Sequence, residues 1–318
     1  MIQKVILGID TSNYTTALAL VDLDGNLVHQ ERQVLDVKQG ERGLRQSEAL
    51  FQHVVNLPML MQKLLPQTAL YEIQGIAVSA KPRPIEDSYM PVFRAGIGLA
   101  ESLACTLKVP LYYTTHQEGH IRAALYGAHL KPADLPTAFL ATHFSGGTSE
   151  LLAVKPDKQG YACQILGKTL DLNAGQLVDR IGVALGCAFP AGKAVEALAE
   201  SAILKNCIIP SSVSGMDFHF SGQESKAKQW IQKGVPKEEV AFGLLKSIAK
   251  TLSKIIQQAV KETSVCDVLF SGGVMSNQII RQILEKELKG KHIRLHFTAP
   301  EYATDNAVGV AYIGLEQQ

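Results

Sequence analysis

Two histidines stand four residues apart in THQEGHIRAAL, at His116 and His120. On a helix that spacing puts both imidazoles on one face, within reach of one cation. A bare H-x-x-x-H pair is more often two capping or solvent-facing histidines, so a metal needs a third ligand. The candidate is Asp305 in ATDNAVG, at the start of the last expected helix. Zinc proteases carry Glu directly after the first His. Here Gln117 stands there and Glu118 comes one place late, which disfavours simple metallopeptidase chemistry. Asp10, Asp171 and Asp179 are further acids of interest. A carboxylate at a strand's end can orient a metal or a water, although each alone is more often a cap or a turn residue.

Three tight loops follow strands: GIDTSNYTT (8–16), FSGGTSE (144–150) and FSGGVMSN (270–277). Paired glycines after a strand let backbone N–H groups approach an anion with no Cβ in the way. In the third loop a helix is expected directly after the turn, and its first amides favour a phosphate. One such turn is usually just a turn; two SGG turns and a polar hairpin point more firmly to a nucleotide phosphate. GCAFPAGKA (186–194) imitates a phosphate loop but has five residues between its glycines and Ala194 where a Mg-binding hydroxyl belongs. It reads as a helix end and turn. Lys289, Lys291, His292 and Arg294 form a small basic cluster, which reads as a solvated loop.

The elements that must carry these residues fall into a repeated order. Strands are expected at 5–10, 17–21 and 27–34, a helix over 44–65, a strand at 73–80, a helix over 92–107, a strand at 109–113 and a helix from about His116. The pattern recurs with strands at 138–144, 150–154 and 161–166, a helix over 174–185, a strand at 266–270, a helix over 277–288, a strand at 293–297 and a helix over 304–315. Turns TSNYTT, DLDGN, SGGTS and PDKQG separate the strands. A mostly helical insert, roughly 190–263, interrupts the second round and includes an amphipathic stretch over 237–261. The reading is α/β, with duplicated lobes of mixed sheet and flanking helices. Lobes of 1–117 and 118–303 are expected, with the 304–318 helix packing back on the first.

Composition agrees. The 318 residues suggest about two domains. Apolar residues make up 46% and charged residues 19%, an ordinary globular balance. The formal charge of +1 means that any RNA contact must come from a local patch or a partner. Cys105, Cys163, Cys187, Cys207 and Cys266 include no C-x-x-C pair and read as thiols of a reducing compartment. MIQKVILGID reaches Asp10 too soon for a secretion signal's apolar core, and no run of about 18 apolar residues exists. A cytoplasmic protein is expected, with no membrane partner.

The sequence also resembles one family. H-x-E-G-H at 116–120, SGG at 145–147, AGQLVDRIGVALG (174–186), FPAG (189–192), DFHFSG (217–222), GGVMSN (272–277) and ATDN (303–306) run in its order. It is the tRNA threonylcarbamoyladenosine synthase catalytic subunit family, long labelled the glycoprotease or O-sialoglycoprotein endopeptidase family. The resemblance covers nearly the whole chain. It implies an actin and sugar-kinase type ATPase fold, two ribonuclease-H-like lobes around a nucleotide cleft. It implies that His116, His120 and Asp305 bind one divalent metal, iron or zinc. It implies an ATP or acyl-adenylate site lined by Phe144, Ser145, Gly146, Gly147 and Thr148. Asp179 and Gly192 would hold the ribose; Gly272, Gly273 and Asn277 would contact the nucleotide. Asp10 and Glu118 are the catalytic candidates. The implied reaction transfers a threonylcarbamoyl group from its adenylate to the adenosine beside the tRNA anticodon. Implied partners are tRNA and the pathway's companion proteins, including a fold-related paralogue; a homodimer and a heterodimer both stay open.

The chain departs from the family's pattern. E-T-S-C-D-E becomes Asp10-Thr11-Ser12-Asn13-Tyr14-Thr15, SGGHT becomes SGGTS with Thr148 for the His, an Asp-Asp pair becomes Asp171-Leu172, and a Glu becomes Gln176. These changes make a divergent paralogue the expected member. They leave two alternatives to an active transferase: a non-catalytic nucleotide-binding subunit and, less favoured by spacing, a metallopeptidase.

Overall fold

A computed structural model describes residues 2–12, 14–37, 44–66, 71–84, 88–131, 134, 138–157 and 160–318. Asn13 of the TSNYTT turn and residues 158–159 of the PDKQG turn lie outside the described residues. The chain divides into two compact units. The first comprises Met1–His129, Pro156–Ala162 and Thr304–Gln318; the second comprises Leu130–Lys155 and Cys163–Ala303.

The first unit opens with β1 (Gln3–Asp10), β2 (Thr15–Asp22) and β3 (Leu27–Val34), then α1 (Gln46–Leu64), β4 (Tyr71–Lys81), α2 (Phe93–Leu107), β5 (Leu111–Thr115) and α3 (His116–Gly127). Its sheet order is β3-β2-β1-β4-β5. β1 pairs antiparallel with β2 and parallel with β4. From Val5 on β1 is buried, as is all of β2, so these strands read as continuous apolar runs rather than alternating ones. Outermost β3 carries Glu31 and Arg32, charges that blunt an edge.

The second unit contains β6 (Phe139–Phe144), β7 (Ser149–Asp157), β8 (Gly160–Lys168), α4 (Ala174–Ala184), α5 (Gly192–Glu200), β9 (Ser212–Ser214), β10 (Asp217–His219), α6 (Ser221–Gln232), α7 (Lys237–Thr263), β11 (Asp267–Ser271), α8 (Gln278–Leu288) and β12 (Arg294–Phe297), except that the adjoining ends of β7 and β8, within Pro156–Ala162, count with the first. Its sheet order, β12-β11-β6-β7-β8, repeats the first: a meander on one side of the leading strand and two parallel strands on the other. The duplication read from the pattern is therefore present.

The insert is mostly helical, as expected, with α5, α6 and α7. Besides helices it holds the β9–β10 hairpin, with Phe218 opposite Val213 across a turn at Gly215. Three-residue strands are too short for alternation to show. Their purpose is packing: Phe218 and Phe220 are fully buried, Phe218 stacked on Phe144 at a centroid distance of 5.4 Å and Phe220 edge-on to it at 6.4 Å.

The last helix, α9 (Val308–Glu316), belongs to the first unit and packs on β1, β4 and α3. It starts at Val308, not Thr304, because Asn306 holds a turn there. Its Oδ1 accepts from Val308 N–H and its Nδ2 donates to the Thr304 carbonyl. Where α9 meets α3 the backbones nearly touch: a Cβ on Gly309 would lie 1.9 Å from the Gly119 oxygen. The expected boundary after Gln117 would cut α3, but the helix is continuous and the first unit runs to His129. Among the described residues no helix is long and apolar enough to cross a membrane.

Candidate metal centre

β5 delivers the chain to α3 through a tight cap. Thr115 Oγ1 accepts from Glu118 N–H at 3.2 Å, and Glu118 Oε2 accepts from Thr115 N–H at 3.0 Å. This reciprocal box fixes the first turn of the helix. His116 is thereby its first residue, and His120 follows one turn later on the same face.

The two rings and Asp305 meet at one point. His120 Nε2 lies 3.0 Å from His116 Nε2 and 3.1 Å from Asp305 Oδ1; the His116 Nε2 to Asp305 Oδ1 distance is 3.6 Å. All three residues belong to the first unit. Among the described residues they are the set whose side chains could hold a metal ion.

The donor chemistry fits a cation. Asp10 Oδ2 lies 3.0 Å from His116 Nδ1, and a carboxylate can only accept, so Nδ1 carries the hydrogen. In the neutral ring the Nε2 lone pair is then available, and it faces the His120 nitrogen and the Asp305 oxygen. Three lone pairs converging at these spacings match ligand atoms sharing one shell with bonds of about 2.0–2.2 Å. A histidine whose other nitrogen is held by a carboxylate is the usual outer support of a metal site.

Asp10 is itself held. It is 2% exposed and accepts from Ser12 N–H at 2.7 Å and from the Ser12 hydroxyl; Ser12 Oγ also lies 2.6 Å from His116 Nδ1. Burial works against a charged His116 ring, but the Asp10 carboxylate, its hydrogen bond and Asp305 outweigh it and raise the pKa to about 8. Negative potential thus converges on this ring. The sequence suggests Asp10 as a catalytic group; the geometry makes it a positioning residue. Ser12, which completes the brace, is a residue that sequence reasoning missed. Its only sequence signal is membership of the first polar loop.

Glu118 needs a correction as well. It is 7% exposed and both its oxygens are occupied. Oε2 accepts from Thr115 N–H, Thr115 Oγ1 and Thr114 Oγ1, and Oε1 accepts from Tyr161 N–H. A carboxylate so engaged caps a helix and anchors a strand. These bonds give Glu118 a positioning task and do not favour it as a general base.

The loops of the second unit divide in the same way. Gly146 and Gly147 have open space above their Cα atoms, as do Gly192 and Gly273. The Ser145 hydroxyl accepts from the N–H groups of Gly147 and Thr148 and closes the SGG turn. Gly272, at φ +94°, is pressed on the Phe144 backbone, so the two glycine loops adjoin. The Gly175 N–H donates to the Ser145 carbonyl and brings the start of α4 to the same place. Asp179 Oδ1 accepts from Ala191 N–H at 2.8 Å, which sets Asp179 beside Gly192.

Three residues or turns of this set also have structural tasks of their own. The Phe144 ring is fully buried among Phe218 and Phe220 and can support a loop but not line a site. Asn277 is buried and its Oδ1 caps α8 by accepting from Ile280 N–H. α8 does not follow the glycines directly: a 3₁₀ turn over Gly273–Ser276 intervenes, and the Gln278 N–H already donates to the Glu196 carboxylate at 2.5 Å. One of the amides expected to attract a phosphate is thus occupied by an acid of the chain itself.

Asp171 accepts from the N–H groups of Phe220, Ser221 and Leu172 and from the Ser221 hydroxyl. Partial burial opposes its charge, but these bonds prevail and hold the carboxyl well below the usual range. It fastens the start of α6.

Comparison with known proteins follows the same lines. The profile of the tRNA N6-adenosine threonylcarbamoyltransferase family (TsaD) matches residues 28–312. A Thermus thermophilus protein of that name is 32% identical over 311 residues, covering 96% of this chain and 90% of that protein. Among solved structures, full-length HypF in its phosphate- and nucleotide-bound form gives a TM-score of 0.62 at 12% identity, over 99% of this chain and 56% of that one. A ROK family glucokinase from Streptomyces griseus, in complex with glucose and AMPPNP, gives 0.55 at 11% identity, over 98% and 99%. At such identities the likeness is one of fold, the actin and sugar-kinase type ATPase fold.

Proposed function

The chain belongs to the tRNA N6-adenosine threonylcarbamoyltransferase family, and on that premise we propose that it transfers a threonylcarbamoyl group, or a close carbamoyl relative, to the adenosine beside a tRNA anticodon. The acyl donor is an adenylate. The adenosine N6 forms a bond to the carbonyl carbon, the bond from that carbon to the phosphate oxygen breaks, adenylate leaves and one proton is released. The observation that carries the proposal is the convergence of His116, His120 and Asp305 within 3.0–3.6 Å in a chain of this family.

His116, His120 and Asp305 would hold one first-row divalent cation, iron or zinc. When bound, the cation supplies Lewis acidity toward the acyl donor. The protein's own residues do the positioning. Asp10 and Ser12 fix the tautomer and orientation of His116, and the Thr115–Glu118 cap fixes the start of the helix that bears both rings. In the second unit the open faces of Gly146, Gly147 and Gly273 offer backbone approach to the nucleotide, and Asp179 beside Gly192 suits a ribose. The same reading places the protein in the cytoplasm with tRNA and the companion proteins of the pathway.

A second reading, a nucleotide-binding member that does not turn over, draws on the neutral residues. Leu172 is buried in the apolar core, and Gln176 accepts from Asn173 N–H. One experiment separates the two. The chain, unmodified tRNA, ATP, bicarbonate, labelled threonine and the companion proteins are combined, beside a His120→Ala variant. Label entering tRNA with wild type and not with the variant is the expected result. Metal and nucleotide bound without any transfer would leave the second reading in possession.

A further inference from the structure

α7 carries Lys246, Lys250, Lys254 and Lys261, and from Val240 to Lys261 the sequence contains no acid. At 100° per residue all four fall within about 80° of one another, on one face of the helix. Lys250, Lys254 and Lys261 are exposed and Lys246 is half-buried. Like charges at i,i+4 repel and lower helix stability. Neighbouring acids would usually relieve this. The ion pairs of the described residues in this unit involve Arg180, Lys228, Arg294, His219 and His296, and none of these four lysines. The ridge continues off the helix. Gln257 lies on the same face and its Oε1 accepts from Lys291 Nζ, which joins the ridge to the basic cluster that the sequence shows at 289–294. Arg294 of that cluster is spent on Asp267.

We propose that this lysine ridge, Lys246, Lys250, Lys254 and Lys261 with Lys291, is the surface on which the second unit holds the phosphate backbone of tRNA. The proposal rests on the tRNA reading above for the identity of the polyanion, and on the ridge for its place. A row of uncompensated cations costs the free protein stability and is compensated by phosphates, which release counterions on binding. A membrane fits poorly. Among the described residues no large apolar side chain after Ile208 is strongly exposed, so the ridge has nothing to insert among lipids. A protein interface fits poorly too, since lysine is depleted there.

The test uses the full-length chain and fluorescent unmodified tRNA, with the dissociation constant read between 50 and 200 mM salt. The variant is Lys246→Gln/Lys250→Gln/Lys254→Gln. A control, Lys4→Gln/Lys63→Gln/Lys155→Gln, removes the same charge elsewhere. Removing three phosphate contacts lowers the log–log salt slope by about 2 to 3. The variant should therefore lose about 20- to 40-fold less affinity than wild type over this range, and bind more weakly at 50 mM. The control should keep the wild-type slope. The ridge variant should melt at the same temperature or higher, which excludes misfolding as the cause. Equal slopes in variant and wild type would overturn the proposal. So would an equal loss in the control, no tRNA binding by wild type, or ridge-dependent capture of anionic vesicles in place of tRNA. Threonine transfer, measured on the same preparations, tests the reading separately. Transfer with unchanged slopes removes the ridge alone; ridge-dependent binding without transfer removes the reading alone.

Discussion

Gly309→Ala tests how the candidate metal centre is built. Asp305 reaches the histidines because α9 approaches α3 closely at Gly309, where the backbones meet with no side chain of Gly309 between them. The new Cβ would sit 1.9 Å from the Gly119 oxygen and 2.6 Å from Ala123 N, where real Cβ contacts stay beyond 3.0 Å. The helices must therefore separate by at least 3.0 − 1.9 = 1.1 Å. Overpacking of this kind costs about 1–3 kcal/mol, and exchanging Gly for Ala inside a helix returns about 1 kcal/mol. The net loss of stability is then about 0–2 kcal/mol, and the protein stays folded. The centre is less forgiving, because ligand distances tolerate only about 0.2 Å. Asp305 drops out of the shell, and cation affinity should fall at least as far as for a lost outer support, about 10- to 100-fold. The assay is competition against a chromophoric chelator, with melting followed in parallel. Gly314→Ala is the control: on the same helix its Cβ would lie 2.7 Å from Ala77 Cβ, away from the ligands. It should lose stability and keep the metal. Wild-type affinity in Gly309→Ala, or an equal loss in Gly314→Ala, would refute the reasoning.

Three further outcomes follow from the geometry. Asp10→Asn leaves His116 with a neutral partner, and cation affinity should fall about 10- to 100-fold with the melting curve little changed; chelator competition reads it directly. Glu118→Gln sets an amide against donors that need an acceptor, at a cost of about 1–3 kcal/mol in urea unfolding. Its transfer rate per metal-loaded molecule should hold, whereas loss of a general base would cut the rate about 10²- to 10⁴-fold. Asp171 has a folded pKa below its unfolded value, so its contribution is present above the ordinary carboxylate range and is lost as pH falls through and below about 4. The stability gap between wild type and Asp171→Asn should therefore narrow in urea melts taken from about pH 7 down to about pH 3.5. A constant gap would show that its charge does not matter.

The parts of this molecule that are legible in the sequence are those with a periodic or positional signal. Both sheets announce themselves through buried runs such as VILGID, and α7 through its apolar period. His116 and His120 share a face because about 3.6 residues make a turn, which the spacing alone gives. What stays hidden depends on contacts across the fold. Nothing in the spacing says that Glu118 spends both oxygens on Thr114, Thr115 and Tyr161, or that the Phe144 ring turns into an aromatic core while the residues after it form an open turn. Ser12 carries no motif of its own and gains its role only when β1 ends beside α3. The expected start of α9 falls four residues early because the Asn306 turn looks like a helix cap until its bonds are traced. The basic cluster at 289–294 looks like a solvated loop because the α7 lysines that extend it lie some 30 residues away in sequence.

The departures from the family's pattern acquire a common sense from their positions. Leu172 fills core space, Gln176 accepts from a backbone N–H, and Thr148 closes its turn through backbone N–H and carbonyl bonds with Ser145. None of these positions needs a charge to keep its element in place, so neutral residues are tolerated without loss of fold. Asp10 and Asp171 are different: each carboxylate accepts from several donors. In this chain the Asp10 carboxylate braces His116 and the Asp171 carboxylate fastens the start of α6.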